Sequence, residues 1–179
     1  GNPHIGKDGS PHRRQAEKEL PATEAKYRSI FENAMEGIFR TSPDGIFLEA
    51  NPAMAGIFGY DSPRELIESV NNLGKQHYIT EENRDFFLKT LARKGKVVEF
   101  EEQLKDNHGN TIYTSLNAHA VFDENGQMTY IEGILSDITE RRQALDELSR
   151  LNKDLEQMVE QRTQDLLQRT QELEKANIK

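Results

Sequence analysis

Cysteine is absent from the 179 residues. That excludes disulfides, thiolate metal sites, cysteine nucleophiles and any cofactor tethered through sulfur, and it fits a reducing compartment. No apolar run exceeds a few residues, so no segment reads as a bilayer span. The N-terminus lacks the charged-then-apolar pattern of a secretory signal. An excess of positive charge is missing as well: 23 Lys and Arg face 31 Asp and Glu, a net charge of −8. The excess acid lies in residues 22–139, which hold 11 bases and 19 acids. A surface for nucleic-acid phosphates or anionic lipid is therefore not expected there. The expected setting is cytoplasmic, with no nucleic acid and no direct membrane contact in this stretch. The opening Gly1-Asn2-Pro3 and a C-terminus inside a repeating pattern read as a piece cut from a longer chain.

Catalytic signatures are missing too. Of the histidines His4, His12, His77, His108 and His119, none is followed by the Glu of a kinase phospho-acceptor box, and none belongs to an HExxH pair. Glycine-rich phosphate loops and the GxSxG elbow do not occur. Glu101 and Glu102 are adjacent on a strand pattern, so their carboxylates point to opposite faces and cannot act as a facing acid/base pair. The reading is non-catalytic, with no metal site and no cofactor expected.

Three textures divide what is present. Residues 1–21 hold three of the six prolines and read as a linker or N-terminal extension, partly helical at the RRQAEKEL of 13–20. Residues 22–139 contain all the Tyr and Phe and nine of the twelve glycines. Residues 140–179 contain no Gly, Pro or aromatic, so an unbroken helix is expected. RRQAEKEL at 13–20 and RRQALDEL at 141–148 agree at six of eight positions, which reads as two exit helices of tandem modules.

Within the middle zone, Tyr27, Ile30, Phe31 and Ala34 recur at helical spacing. Gly37–Thr41 and Ile46–Ala50 flank Ser42-Pro-Asp-Gly45 as a hairpin. Asn51-Pro52, the box Ser62-Pro63-Arg64-Glu65, and Thr80 each start a helix, the last stopping near Gly95. Three strands follow, joined by turns at Asp106–Gly109 and Asp123–Gly126. Alternation puts Val98, Phe100, Glu102 and Leu104 on one face; Ile112, Thr114, Leu116, Ala118 and Ala120 share a face; so do Ile131, Gly133, Leu135 and Asp137. The expected fold is α+β: a five-stranded antiparallel sheet with helices on one face, plus a long C-terminal helix.

The segments KYRSIFENAMEGIFRTSPDG, EANPAMAGIFGY, FEEQLKDNHGNTIYTSLNAHAV and YIEGILSDITERR, in that order, resemble a bacterial PAS sensor domain over roughly residues 23–142. The tail from Leu151 is similar to the signalling coiled coils that follow such domains in sensor histidine kinases and diguanylate cyclases. The resemblance implies domains at 22–139 (sensor) and 140–179 (coiled coil), and a small cavity between sheet and helices that takes an unknown small molecule or partner signal. Asp137, Ile138 and Thr139 match the family's D-I-T junction, with Glu140 and Arg141 continuing it. Phe39, Phe58, Tyr78, Phe87, Phe100, Leu116 and Leu135 are the candidate cavity wall. Glu102 joins them because its parity matches Phe100 and Leu104, and a core-facing carboxylate is costly unless paired or protonated. His77 is the one histidine placed to serve as a haem ligand, and it reads instead as a surface or partly buried residue leading a helix.

In heptad register the tail puts Leu145, Asn152, Val159, Leu166 and Leu173 at a, and Leu148 and Leu155 at d, with Arg162 and Arg169 interrupting the d row. Leucines with an Asn at one a position favour a parallel two-stranded coil. The expectation is a parallel homodimer through this helix, acting as the sensory and dimerisation module of a sensor histidine kinase. Two alternatives stand: a ligand-free structural dimerisation module, or the same module in a diguanylate cyclase.

Overall fold

The computed structural model describes residues 23–177. The linker and frayed helix expected over 1–21 lie outside the described residues. The chain divides into two compact units after Asp137.

The first unit is built on helix α1 (residues 23–33) and a five-stranded antiparallel sheet. Its strands are β1 (Gly37–Thr41), β2 (Phe47–Ala50), β3 (Lys96–Lys105), β4 (Thr111–Phe122) and β5 (Met128–Asp137), in the spatial order β2-β1-β5-β4-β3. Between β2 and β3 come α2 (Pro52–Ile57), α3 (Pro63–Ser69), α4 (Leu73–Gln76) and α5 (Glu81–Lys94). The architecture is the α+β arrangement expected from the pattern. The second unit is a single helix, α6 (Thr139–Asn177).

Capping chemistry sets the helix starts. Asn51 and Ser62 each precede a proline at the first helical position, and their side chains accept from the Met54 and Glu65 amides. Glu65 completes the second cap by accepting from the Asp61 amide at 2.8 Å. Thr80 caps α5, which ends at Gly95 in the left-handed conformation (φ 74°). The four-residue α4 is an addition to the expected order; Asn72 caps it by accepting from the Lys75 amide.

Helices α2, α3 and α5 cover one face of the sheet, over β1, β2 and β3–β4 respectively. Phe47, Phe58, Phe87, Met54, Leu66, Leu91 and Ile131 are fully buried between them. Edge-to-face ring pairs link Phe39 to Phe47 (6.4 Å) and Phe47 to Phe58 (6.3 Å). On the other face, α1 contributes Tyr27 and Phe31 to a groove of about 550 Å³ that also takes in Ile38, Arg40, Glu132 and Ile134. Ala34 falls one residue beyond α1.

Strand β3 departs from simple alternation. Its register against β4 slips between Val97 and Phe100, where Glu99 takes a positive φ of 48° and its amide donates to Asn117 Oδ1. This bulge reverses the facing of Val98, which is 67% exposed, while Val97 enters the core at 7%. The expectation that Val98 shares a face with Phe100 is thus corrected. From Phe100 onward the expected parity holds, because the extra residue has already been absorbed.

Candidate functional site

The core-facing row at the β3 end of the sheet carries three polar side chains that meet at one hydroxyl. Tyr78 follows α4 and is held beside β3 by an isolated bridge to Leu104. Its Oη donates to Glu102 Oε1 at 3.2 Å and accepts from Arg84 Nη1 at 3.3 Å. Arg84, on the first turns of α5, also donates through Nη2 to the Pro43 carbonyl at 3.4 Å. Its guanidinium stacks 5.3 Å from the ring centroids of both Tyr78 and Phe87.

Glu102 is only half satisfied. Its Oε2 is buried and has no hydrogen-bond partner among the described residues. Burial pushes the carboxyl up to about 7, against the opposing effects of the Tyr78 hydrogen bond and the Arg84 charge. The Tyr78 hydroxyl is raised far above its ordinary value by burial, with the Glu102 charge adding to it. A carboxyl poised near neutrality beside a phenol and a guanidinium can hold or release a proton, or accept a hydrogen bond from a polar guest.

Tyr78 and Glu102 are thus in direct contact. Phe87 and Phe100 pack at 5.6 Å, and Phe39, Phe58, Leu116 and Leu135 belong to the same buried cluster. His77, expected at the surface or partly buried and leading a helix, is instead 1% exposed and follows the last residue of α4. Its Nδ1 lies 2.7 Å from the Lys105 carbonyl, which can only accept, so Nδ1 carries the proton and Nε2 accepts from Tyr60 Oη at 3.2 Å. Both ring nitrogens are engaged, and burial holds the imidazole below its ordinary pKa, opposed by that carbonyl bond and by Asp106. The ring lies 4.6 Å from Phe58, so His77 is a packed part of the core wall.

Arg84 carries no sequence signal of a site residue. A charge on a helix ordinarily reads as solvated, yet Arg84 stands three residues before Phe87 and seven before Leu91, on the buried stripe of α5. Asn51, whose sequence signal is that of a cap, is also fully buried.

The expected junction residues span the end of one unit and the start of the other. Asp137 ends β5, Ile138 lies in neither element, and Thr139 begins α6, with the Arg142 amide donating to the Ile138 carbonyl at 2.9 Å. Thr139 is therefore the first helical residue, preceded by Ile138; Glu140 and Arg141 lie in the first turn. Along α6 the expected seam residues Leu145, Leu148, Leu155, Val159, Leu166 and Leu173 are 55–66% exposed, and Asn152 is exposed as well. No described helix is long and apolar enough to cross a membrane.

A model of the PAS domain family matches residues 35–140. The chain is 28% identical over 150 residues to the sensor histidine kinase TmoS of Ectopseudomonas mendocina, covering 83% of this chain and 15% of that protein. It is 26% identical over 151 residues to sporulation kinase C of Bacillus subtilis, covering 80% of this chain and 34% of that protein. The fold is similar to a domain of a sensory box sensor histidine kinase/response regulator from Geobacter sulfurreducens, with a TM-score of 0.51, 24% identity, and coverage of 66% of this chain and 96% of that one. The chain spans about a seventh and a third of the two curated relatives.

Proposed function

Because the chain belongs to the PAS domain family, we propose that it is the sensory and signal-transmitting module of a longer cytoplasmic signalling protein, a sensor histidine kinase. The observation that carries this reading is the extent of the similarity to the two kinases. It runs over 150 residues, beyond the 35–140 of the domain itself, so it takes in sequence flanking the sensor as well.

In this reading a small molecule or partner acts on the core face near Tyr78, Arg84 and Glu102. The response passes along β5 through Asp137, Ile138, Thr139, Glu140 and Arg141 into α6. A helix of 39 residues extends about 58 Å, and its exposed leucine stripe favours a parallel two-stranded coil. The arginines at 162 and 169 weaken the distal seam, which leaves two packings close enough in energy for a signal to choose between them.

A ligand-free dimerisation module is the second reading, favoured by the unbroken contact of Phe39, Phe47, Phe58 and His77 across the core. The diguanylate cyclase alternative has no such observation behind it.

Oxidative crosslinking of Leu145→Cys and Val159→Cys tests the transmitting role. In a parallel coil each cysteine meets its own copy, so both variants should form disulfide-linked dimers, and the ratio of their yields should change when the signal is applied. Crosslinking at neither position, or yields fixed under every condition that activates the full-length protein, would contradict it.

A further inference from the structure

Glu102, Thr114 and Asp137 lie directly opposite one another on three adjacent strands, β3, β4 and β5. They form one cross-strand row, with Thr114 at its centre fully buried and Asp137 at its exposed end. Thr114 Oγ1 donates to the Glu102 carbonyl at 3.2 Å, so the middle of the row is tied by a side chain as well as by the ladder. Asp137 is the last residue of β5. β3 is the last strand of the sheet and is interrupted by the bulge at Glu99 just before Phe100, while its far end is held by the Tyr78–Leu104 bridge.

The groups facing the Glu102 carboxyl are few. Tyr78 comes from the segment after α4, Arg84 from α5 and Thr114 from β4; the backbone of Asp137, on β5, is two strand spacings away, roughly 10 Å, and its side chain is exposed. Among the described residues only Tyr78 donates to the carboxyl, and it occupies Oε1. Oε2 is buried with no partner among the described residues. An ionised carboxylate there lacks a donor, whereas a neutral acid carries its own proton but then needs an acceptor. Neither state satisfies the present geometry fully, so a change of protonation has to be answered by movement of the side chain or its strand.

We propose that Glu102 is a proton-binding regulatory site, and that gain or loss of its proton is passed across the Thr114 row to Asp137, where the strand gives way to α6. The carboxyl value near 7 places the transition within the range a cell can produce. The inference rests on the signalling role proposed above for its consequence in α6, while the proton site and its row belong to the sensor unit alone.

The test is a pH titration of the whole chain by NMR, reading the Glu102 side-chain carboxyl carbon and the backbone amides of Thr114, Asp137 and Ile138. All four should move together with a midpoint near 7. In Glu102→Gln the three amides should lose that transition, which separates it from histidine titration. In Tyr78→Phe, which removes the Tyr78 hydrogen bond to the carboxylate, the transition should persist with its midpoint raised. A Glu102 carboxyl that titrates below pH 5 overturns the proposal, as do amides at 137 and 138 that keep an unchanged transition in Glu102→Gln. If that variant does not fold, an unmoved midpoint in Tyr78→Phe overturns it equally. A chain that sediments as a monomer yet shows the shared titration would refute the coiled-coil reading and still support the proton site.

Discussion

The amide side chain of Asn51 satisfies four backbone groups at once. Its Oδ1 accepts from the Ile38 and Met54 amides, both at 2.9 Å, and its Nδ2 donates to the Phe31 and Glu36 carbonyls at 3.0 and 2.9 Å. These groups belong to β1, α2, the end of α1 and the segment after it, so one residue fixes how the sensor unit begins. Asn51→Ala should cost on the order of 3 kcal/mol in urea unfolding, because two amides and two carbonyls lose their partner together. Glu102 makes the opposite prediction. Its folded-state value of about 7 stands above that of an unfolded carboxyl, so the folded chain binds the proton more tightly. The resulting stability is present at pH 4–5 and is lost as the pH rises through 7. Glu102→Gln should therefore be more stable than the parent at pH 8, by about 1–3 kcal/mol. The advantage should shrink toward pH 5, as thermal unfolding at the two pH values would show.

At the scale of elements, β3 offers the sharpest contrast. Because the bulge turns Val97 inward and Val98 outward, Val97→Ala should cost about 1–2 kcal/mol and Val98→Ala under about 0.5 kcal/mol in matched urea unfolding. Simple alternation predicts the reverse. Much else about the elements was legible. The caps at Asn51, Ser62 and Thr80, the glycine stop at 95 and the Asp–Gly turns carry their own local chemistry, so sequence alone places them. The features that sequence does not show depend on contacts distant in the chain. The bulge at Glu99 is held by Asn117 on the next strand, and His77 is buried by Phe58, Tyr60 and the Lys105 carbonyl. Arg84 is the intermediate case: its place on the Phe87–Leu91 stripe is visible in the spacing, but its partners Tyr78 and Pro43 are not. The suspicion attached to Glu102 came from parity, and only the fold supplies the phenol and the guanidinium that meet it.

For the whole molecule, the account depends on α6 joining two chains. Its exposed leucines and valine form a regular stripe, and burying them against a second copy is the ordinary solution for a helix of this length. Leu148 and Leu155 occupy the proximal d row, ahead of the interruption at Arg162 and Arg169, and so should carry most of the association. Sedimentation equilibrium over a range of concentrations is the most direct measurement. The parent should run at about 41 kDa, twice the 20.5 kDa of one chain, and Leu148→Asp/Leu155→Asp should fall to the single-chain mass with its sensor unit still folded. A parent that stays at the single-chain mass at every concentration, or a dimer that survives the double substitution, would contradict the account.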